Sequence, residues 1–140
     1  MPNSIVPACV ELKIPCKPEY VGVARLAILG VASRMKFSYD EVEDVRLAVG
    51  EACTTSVEWA ERNAQTESSI ILSSEVDADK LTVDIFDKAG PRKISNSDGD
   101  AEQEPENLGA LLITLLVDEV TVAPQEGGTH VRMVKYAGQR

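Results

Sequence analysis

The feature that most constrains the fold is one long amphipathic segment, Glu43 to Arg62 (EDVRLAVGEACTTSVEWAER). Glu51 and Thr55 lie four residues apart on it, so their side chains point the same way. The helix surface that carries Glu51 and Thr55 is either a solvated flank or the wall of a site, and periodicity alone does not distinguish the two. The apolar residues recur every three or four positions, which predicts a helix with one buried face; they are Val45, Val49, Ala52, Cys53, Val57 and Ala60.

The length and composition fit a single domain with one core. The chain has 140 residues, of which 44% are hydrophobic and only 4% aromatic, so the core must be built mainly from Val, Leu, Ile and Ala. The formal net charge of −9 would repel phosphate backbones and anionic lipids, which argues against direct binding to nucleic acid or to a membrane. A basic protein partner suits such a surface better.

The cysteines and the N-terminus point to the cytoplasm. There are three cysteines, an odd number without a C-x-x-C pair, which argues against disulfides and suits a reducing compartment. The first ten residues lack the basic start and the long apolar run of a signal peptide. The longest apolar tract, around Leu111 to Val117, is too short to span a bilayer.

The N-terminal part predicts a strand followed by a helix. Residues Cys9 to Ile14 alternate between apolar and polar, which predicts a half-buried strand that ends at Pro15. A helix then begins at Pro18 and reaches about Met35. Because this helix is apolar nearly all round, it is either sandwiched within the fold or meets a partner on one side. Arg25 is an isolated charge on it, either a surface residue or part of a partner contact.

The central helix carries signals for its N-terminal cap. Ser38 or Asp40 can occupy the cap position, and Ser38 with Glu41 has the spacing of a capping box. The acidic residues of the first turn suit the positive end of the helix dipole. We expect this helix to end near Asn63.

The C-terminal half predicts strands, a polar segment and one short helix. The segment Lys88 to Asn107 is polar and without periodicity, so it is either a lid or a disordered stretch. The order of elements predicts one domain over residues 1–140, an α+β two-layer sandwich in which helices cover one face of a mixed, mostly antiparallel sheet. The other expected elements are strands at Ser69–Val76 and Leu81–Asp87 joined by a turn at 77–80, a helix at Leu108–Val117, and strands at Asp118–Ala123 and Thr129–Tyr136 joined by Gly127-Gly128.

Three short motifs lie on different elements of this arrangement. They are Glu51 to Thr55 on the central helix, Asp87-Lys88-Ala89-Gly90 at a strand end, and Asn107-Leu108-Gly109-Ala110 at a helix start. With these motifs and the block KIPCKPEYVGVARLAILGVASRMKFSYDEVEDVRLAVGEACT, the chain resembles the anti-sigma serine kinases of the RsbW and SpoIIAB type. These kinases belong to the GHKL ATPases, which have the Bergerat or histidine-kinase-like ATPase fold.

The resemblance implies both a cofactor and protein partners. Members bind ATP and Mg²⁺ between the helices and the sheet, and they phosphorylate a serine of an anti-anti-sigma protein of the STAS type. They also hold a sigma factor away from RNA polymerase. The resemblance further implies a homodimer through the first strand and helix, with Arg25 on the partner-contact surface.

The resemblance also assigns roles to single residues. Glu51 matches the general base that orients the attacking hydroxyl, and Thr55 takes the place of the magnesium ligand. Asp87 matches the carboxylate that accepts from the adenine amino group. Gly109 matches a glycine of the motif whose backbone amides receive phosphates. The other positions implied to contact the nucleotide are Ala89, Gly90, Leu108 and Thr129.

Several residues depart from the family pattern, and they lie at the nucleotide motifs. Thr55 stands where an Asn is usual, and a threonine hydroxyl is shorter and lacks the amide carbonyl. Ala89 and Pro91 interrupt the first glycine motif, and Pro91 removes an amide donor. Glu106 and Asn107 precede the second motif, where a carboxylate repels phosphate. Trp59 replaces a frequent His, and the lid is acidic at Asp98, Asp100, Glu102, Glu104 and Glu106.

The sequence therefore leaves three functional hypotheses open. In one, the chain is a working anti-sigma serine kinase that uses Thr55 in place of Asn. In another, it is a pseudokinase that regulates only by binding proteins, because its ATP site is weakened or lost. In the third, it is an α/β domain without a sigma partner.

Overall fold

The computed structural model describes residues 8–90 and 105–138. Within this part of the chain, no helix is long and apolar enough to cross a membrane. A single 3₁₀ turn at Pro18–Tyr20 precedes the first helix. The elements are β1 (Ala8–Pro15), α1 (Val21–Ala32), α2 (Tyr39–Arg62), β2 (Ser69–Asp77), β3 (Lys80–Asp87), α3 (Pro105–Leu116), β4 (Glu119–Gln125) and β5 (Gly128–Tyr136).

The five described strands form one sheet in the order β1-β2-β3-β5-β4. Every neighbouring pair is antiparallel, so the predicted α+β sandwich is confirmed but its "mixed" sheet is wrong for the described strands. Consecutive strands joined by short turns must run antiparallel, and the pairing of β5 with β3 is antiparallel as well.

The two hairpin turns are shorter than or shifted from the prediction. Asp77 pairs with Lys80, so the first turn has only Ala78 and Asp79 as its central residues. Ala78 has a φ of 55°, because two-residue hairpins of this kind need left-handed backbone. In the second hairpin Gln125 pairs with Gly128, which places the turn one residue earlier than Gly127-Gly128.

The hydrophobic core lies between the three helices and one face of the sheet. Alternate residues of the central strand β3 face the helices, and Leu81, Val83 and Ile85 are each at most 2% exposed. The apolar stripe of α2 packs onto them, as its periodicity predicted. Burying this much aliphatic surface is the main stabilising contribution to the fold.

Helix α1 is shorter than predicted and leaves part of its apolar surface exposed. It ends at Ala32 rather than Met35, since hydrogen bonds spanning three residues tighten the chain there. The Ser33 hydroxyl also donates to the carbonyl of Leu29 at 2.7 Å. On the outer side of α1, Val23 is 43% and Leu26 70% exposed.

A complete capping box begins helix α2. The Ser38 side chain accepts from the amide of Glu41, and the Glu41 carboxylate accepts from the amide of Ser38 at 2.7 Å. Ser38 is therefore the cap, and the alternative of Asp40 is wrong because Asp40 lies within the first turn. Glu41 also accepts from the amide of Gly138 at 3.2 Å, which ties the segment after β5 to this helix.

Helix α3 begins at Pro105, three residues before the predicted start at Leu108. Proline suits a first helical turn because it has no amide hydrogen to leave unpaired. The C-terminal end of α3 is held by Lys135, whose ammonium donates to the carbonyl of Leu116 at 2.9 Å and lies 3.6 Å from Asp44 on α2. Most of the predicted lid over residues 88–107 lies outside the described residues.

The outer face of the sheet carries a compact polar cluster. Asp84 accepts from the guanidinium of Arg132 at 2.7 Å, and the imidazole Nε2 of His130 lies 2.7 Å from the same carboxylate. The His130 ring also stacks on Phe86 with 4.3 Å between the ring centroids. This cluster lies on the face opposite the helices.

Candidate functional site

The predicted adenine-reading carboxylate lies at the end of the central strand. Asp87 is the last residue of β3, and its backbone is paired with Thr129 on β5. Both residues are on the helix-facing side of the sheet, and each is only 1% exposed. The register therefore brings together two predicted site residues that are 42 positions apart in the sequence.

Two donors from different elements hold the Asp87 carboxylate. The hydroxyl of Ser56, on α2, donates to Oδ2 at 2.5 Å, and the amide of Ala89 donates to Oδ1 at 3.1 Å. A buried polar group needs hydrogen-bond partners to offset the loss of water, and these two donors supply them. The arrangement supplies a buried acceptor at the end of the central strand, which suits an exocyclic amine.

The loop after β3 is fastened to the turn between β4 and β5. Gly90, with a φ of +99°, donates its amide to the carbonyl of Gly127 at 3.0 Å. A Cβ on Gly128 would collide with the backbone carbonyl of Asp87, so only glycine permits this close approach. The side-chain amide of Gln125 donates to the same Asp87 carbonyl at 3.1 Å.

A second group of predicted residues lies where α2 meets α3. Glu51 is half-buried, and a Cβ placed on Gly109 would lie 2.5 Å from its Oε2. The hydroxyl of Thr55 donates to the backbone carbonyl of Glu51 at 3.0 Å. The lone pairs of the Thr55 oxygen can still accept or ligate, but its proton is committed to the helix.

The sequence predicted that Gly109 lies at the start of a helix, but the structure places it further inside α3. It is the fifth residue of α3, so its amide lies beyond the first residues whose amides lack an intrahelical partner. Its visible role is steric, because the absence of a side chain lets α3 approach the Glu51 carboxylate. Leu108 also lies within α3, and its side chain is outside the described residues.

Arg25 lies apart from both groups. Its guanidinium packs over Gly50 of α2, where a Cβ would overlap Arg25 Nε. Within residues 8–90 and 105–138 it has no hydrogen bond or ion pair to another described side chain. Arg25 therefore places a cation where α1 packs on α2, on the same helix as the exposed apolar residues of α1.

The cysteine nearest the site is inert by its environment. Cys53 lies on the buried stripe of α2, one turn before Ser56, and it is 0% exposed. Burial is the main cause that raises the pKa of its thiol to about 12, with smaller contributions from Cys16 and Asp87. A thiol of this kind is a small core residue rather than a nucleophile.

Sequence reasoning missed Ser56 and the residues of the β4–β5 turn. Ser56 lies four residues after Ala52 and three after Cys53, so it occupies a position of the apolar stripe. A polar residue at a core position signals a buried hydrogen-bond partner, and that signal was available. The contact of Gly128 with Asp87 had no such signal, because it depends on the strand register.

A separate cleft of about 330 Å³ lies on the outer face of the sheet. Its floor includes Ile71 and Phe86, and Lys13 and Lys88 line it. It does not include Asp87 or Glu51, so it is not the predicted space between the central helix and the sheet.

Comparison with known proteins identifies relatives over most of the chain. The model of the family described as "Histidine kinase-like ATPase domain" matches residues 14–135. A serine-protein kinase RsbW of Bacillus cereus is 39% identical over 91% of this chain and 84% of its own length. A serine-protein kinase RsbW of Bacillus velezensis matches with the same identity and coverage.

Solved structures agree with this assignment at the level of the fold. The RsbU and RsbW domains of a Mycobacterium tuberculosis protein match with a TM-score of 0.70 and 13% identity, over 92% of this chain and 32% of that one. The SiaB–SiaC complex of Pseudomonas aeruginosa matches with a TM-score of 0.68 and 16% identity, over 89% of this chain and 88% of that one.

Proposed function

The chain belongs to the RsbW family of histidine kinase-like ATPase domains, and we propose that it is an anti-sigma factor that works by partner switching. In this proposal the protein sequesters a sigma factor of RNA polymerase and releases it when an anti-anti-sigma protein of the STAS type binds. An adenine nucleotide occupies the space around Asp87. The net charge of −9 fits a regulator that acts on proteins rather than on DNA.

The observation that carries the nucleotide part is the held carboxylate of Asp87. The carboxylate is buried and accepts hydrogen bonds from Ser56 and Ala89, and the hydroxyl-bearing Thr129 is its neighbour across the sheet. An exocyclic amine on a purine is the donor that such an acceptor selects. The residues at this end of the site therefore fit an adenine base.

The phosphate end of the site supports serine phosphorylation less strongly. ATP with Mg²⁺ would supply the phosphoryl group and neutralise its charge. Glu51 can accept the proton of a serine hydroxyl, and the Thr55 oxygen remains able to ligate a metal. Against this, Gly109 brings α3 onto the Glu51 carboxylate, and its amide is not placed as a phosphate donor. A regulator without phosphoryl transfer is the second candidate for this reason.

The partner surface in this proposal is the outer side of α1. Leu26 is 70% exposed and Val23 43%, and Arg25 supplies a cation on the side of α1 that faces α2, where its guanidinium packs over Gly50. Val10 on the edge strand β1 is also 46% exposed, on the face that the sheet otherwise turns to its core. Exposed aliphatic residues beside β1, which is an edge strand among the described strands, suit a homodimer or a protein partner.

Isothermal titration calorimetry with ATP and Mg²⁺ tests the nucleotide part. We expect binding in the micromolar range for the wild-type protein and at least tenfold weaker binding for Asp87→Asn, because the amide presents a donor where the base needs an acceptor. The matched control is Asp77→Asn on the exposed end of β2, which should bind normally. Absence of binding by the wild-type protein would leave only the protein-binding candidate.

Transfer of labelled phosphate to a cognate anti-anti-sigma protein tests the kinase activity. If Glu51 is the base, Glu51→Ala should abolish transfer while nucleotide binding persists. Glu58→Ala, on the exposed side of the same helix, is the matched control and should retain the rate. An unchanged rate for Glu51→Ala would rule out Glu51 as the base.

Light scattering and partner binding test the surface of α1. We expect a dimer mass that depends on concentration, and a monomer mass at every concentration would contradict the proposed seam. Arg25→Glu should weaken binding of the sigma factor by reversing the charge of the surface. Arg34→Glu, an exposed arginine beyond the end of α1, is the control for a change in net charge.

A further inference from the structure

Ser56 is a buried polar residue that the family motifs leave without a role. It stands among the apolar positions of α2 and is 1% exposed. A hydroxyl in a core destabilises the fold unless it has a partner, and here the partner is the Asp87 carboxylate at 2.5 Å. The bond links the central helix to the sheet end across 31 positions of sequence.

The backbone of Ser56 has a contact of its own. Its backbone lies in the third quarter of the 24-residue helix α2, and its carbonyl accepts from the thiol of Cys16 at 3.6 Å. Cys16 follows directly after β1, so this weak hydrogen bond connects the backbone at Ser56 to the end of β1. The hydroxyl therefore meets Asp87 from a rigid element rather than from a loop.

Two described donors of Asp87 act on different oxygens. The amide of Ala89 restrains Oδ1 and belongs to the loop that follows β3, whereas Ser56 restrains Oδ2 from the helix. The terminal torsion of an aspartate is broad, so each donor narrows the range of orientations that the plane of the carboxylate can adopt. Both donors together fix the direction in which the carboxylate presents its acceptor sites.

We infer that Ser56 is a positioning residue that sets the orientation of the Asp87 carboxylate and thereby the preference for a purine bearing a 6-amino group. This inference rests on the proposed nucleotide site. Ser56 acts through Asp87 and makes no contact with the base in this scheme. Its removal affects the recognition of the amino group more than the binding of the phosphates or the sugar.

The test compares two ligands that differ only in that amino group. Calorimetry measures the affinity of ADP and of purine riboside 5′-diphosphate, which has hydrogen in place of the amine. We expect the wild-type protein to prefer ADP, and Ser56→Ala to bind ADP about tenfold more weakly while its affinity for the deaminated analogue changes little. Ser56→Cys keeps a weak donor of similar size and should give an intermediate preference.

Ser74→Ala is the matched control. Ser74 is also 1% exposed, and its hydroxyl donates to the carbonyl of Val10 at 3.4 Å. It lies on β2 away from Asp87, so its removal should lower stability without changing the ligand preference. An equal loss of affinity for both ligands in Ser56→Ala would overturn the inference, because a merely structural role predicts that result. A wild-type protein that binds neither ligand would refute the proposed nucleotide site itself.

Discussion

Replacing Gly109 by alanine tests the contact that closes the Glu51 end of the site. In an ordinary helix this change stabilises the fold by about 1 kcal/mol, because glycine has a larger backbone entropy in the unfolded chain. Here the added Cβ would lie 2.5 Å from Oε2 of Glu51, roughly 1 Å closer than an ordinary contact. The carboxylate must therefore leave its present position.

The expected magnitude follows from these opposing effects. The carboxylate is the far end of a flexible side chain, so its displacement costs about 0.5–1.5 kcal/mol, the range for an off-rotamer side chain. The two contributions nearly cancel, and Gly109→Ala should change the free energy of unfolding by less than about 0.5 kcal/mol. In a Glu51→Ala background nothing opposes the new Cβ, and the same substitution should stabilise by about 1 kcal/mol.

Urea denaturation of the four proteins of this double-mutant cycle measures the coupling between the two positions. We expect a coupling energy of about 1 kcal/mol between positions 51 and 109. In the kinase assay, Gly109→Ala should lower the rate of transfer, because the carboxylate no longer occupies the place from which it would accept a proton. An equal stabilisation by Gly109→Ala in both backgrounds would refute the packing of α3 on Glu51.

Three further predictions concern other parts of the fold. Ser38→Ala removes the cap of α2 and should lower the free energy of unfolding in urea by about 1–2 kcal/mol; an unchanged midpoint would show that the capping box contributes nothing. Burial tends to raise the pKa of Asp84, but hydrogen bonds from Arg132 and His130 outweigh it and hold the pKa below its ordinary value. The ionised Asp84 carboxylate therefore stabilises the fold by about 1 kcal/mol or less above roughly pH 4, and this contribution is lost as the pH falls further. The difference in free energy of unfolding between wild type and Asp84→Asn should therefore shrink in acid. A difference that does not depend on pH would contradict this. Cys9 is exposed, whereas burial raises the pKa of the Cys53 thiol to about 12. A thiol reagent at pH 8 should therefore modify one cysteine per native chain and all three in denaturant. Rapid reaction of a second thiol in the native protein would disprove the burial.

The sequence predicted the elements more accurately than their ends. The amphipathic stripe of α2 and its capping box are local patterns, so the helix and its cap at Ser38 could be read directly. The C-terminal end of α1 and the N-terminal end of α3 each lie three residues from the predicted position. Competing hydrogen bonds after Ala32 decide the first, and the helical turn at Pro105 decides the second. Such bonds depend on backbone geometry that apolar periodicity does not encode.

In the candidate site too, local motifs predicted single residues but not the contacts between them. The family resemblance singles out Asp87 and Glu51 from short local motifs, and the fold and family that it implies are confirmed. Their roles stay predictions. The partners that hold Asp87 come from α2, from the loop after β3 and from β5, and no single stretch of sequence contains them.

By itself, the sequence determined that this protein has an α+β fold with a long central helix, an aliphatic core and an acidic surface, since each follows from periodicity or composition. Only the tertiary structure decided that Ser56 meets Asp87 and that Gly109 lies on Glu51. Both contacts are made between elements far apart in the chain, where the strand register and the packing of helices select which side chains touch. A pattern within one segment carries no information about that choice.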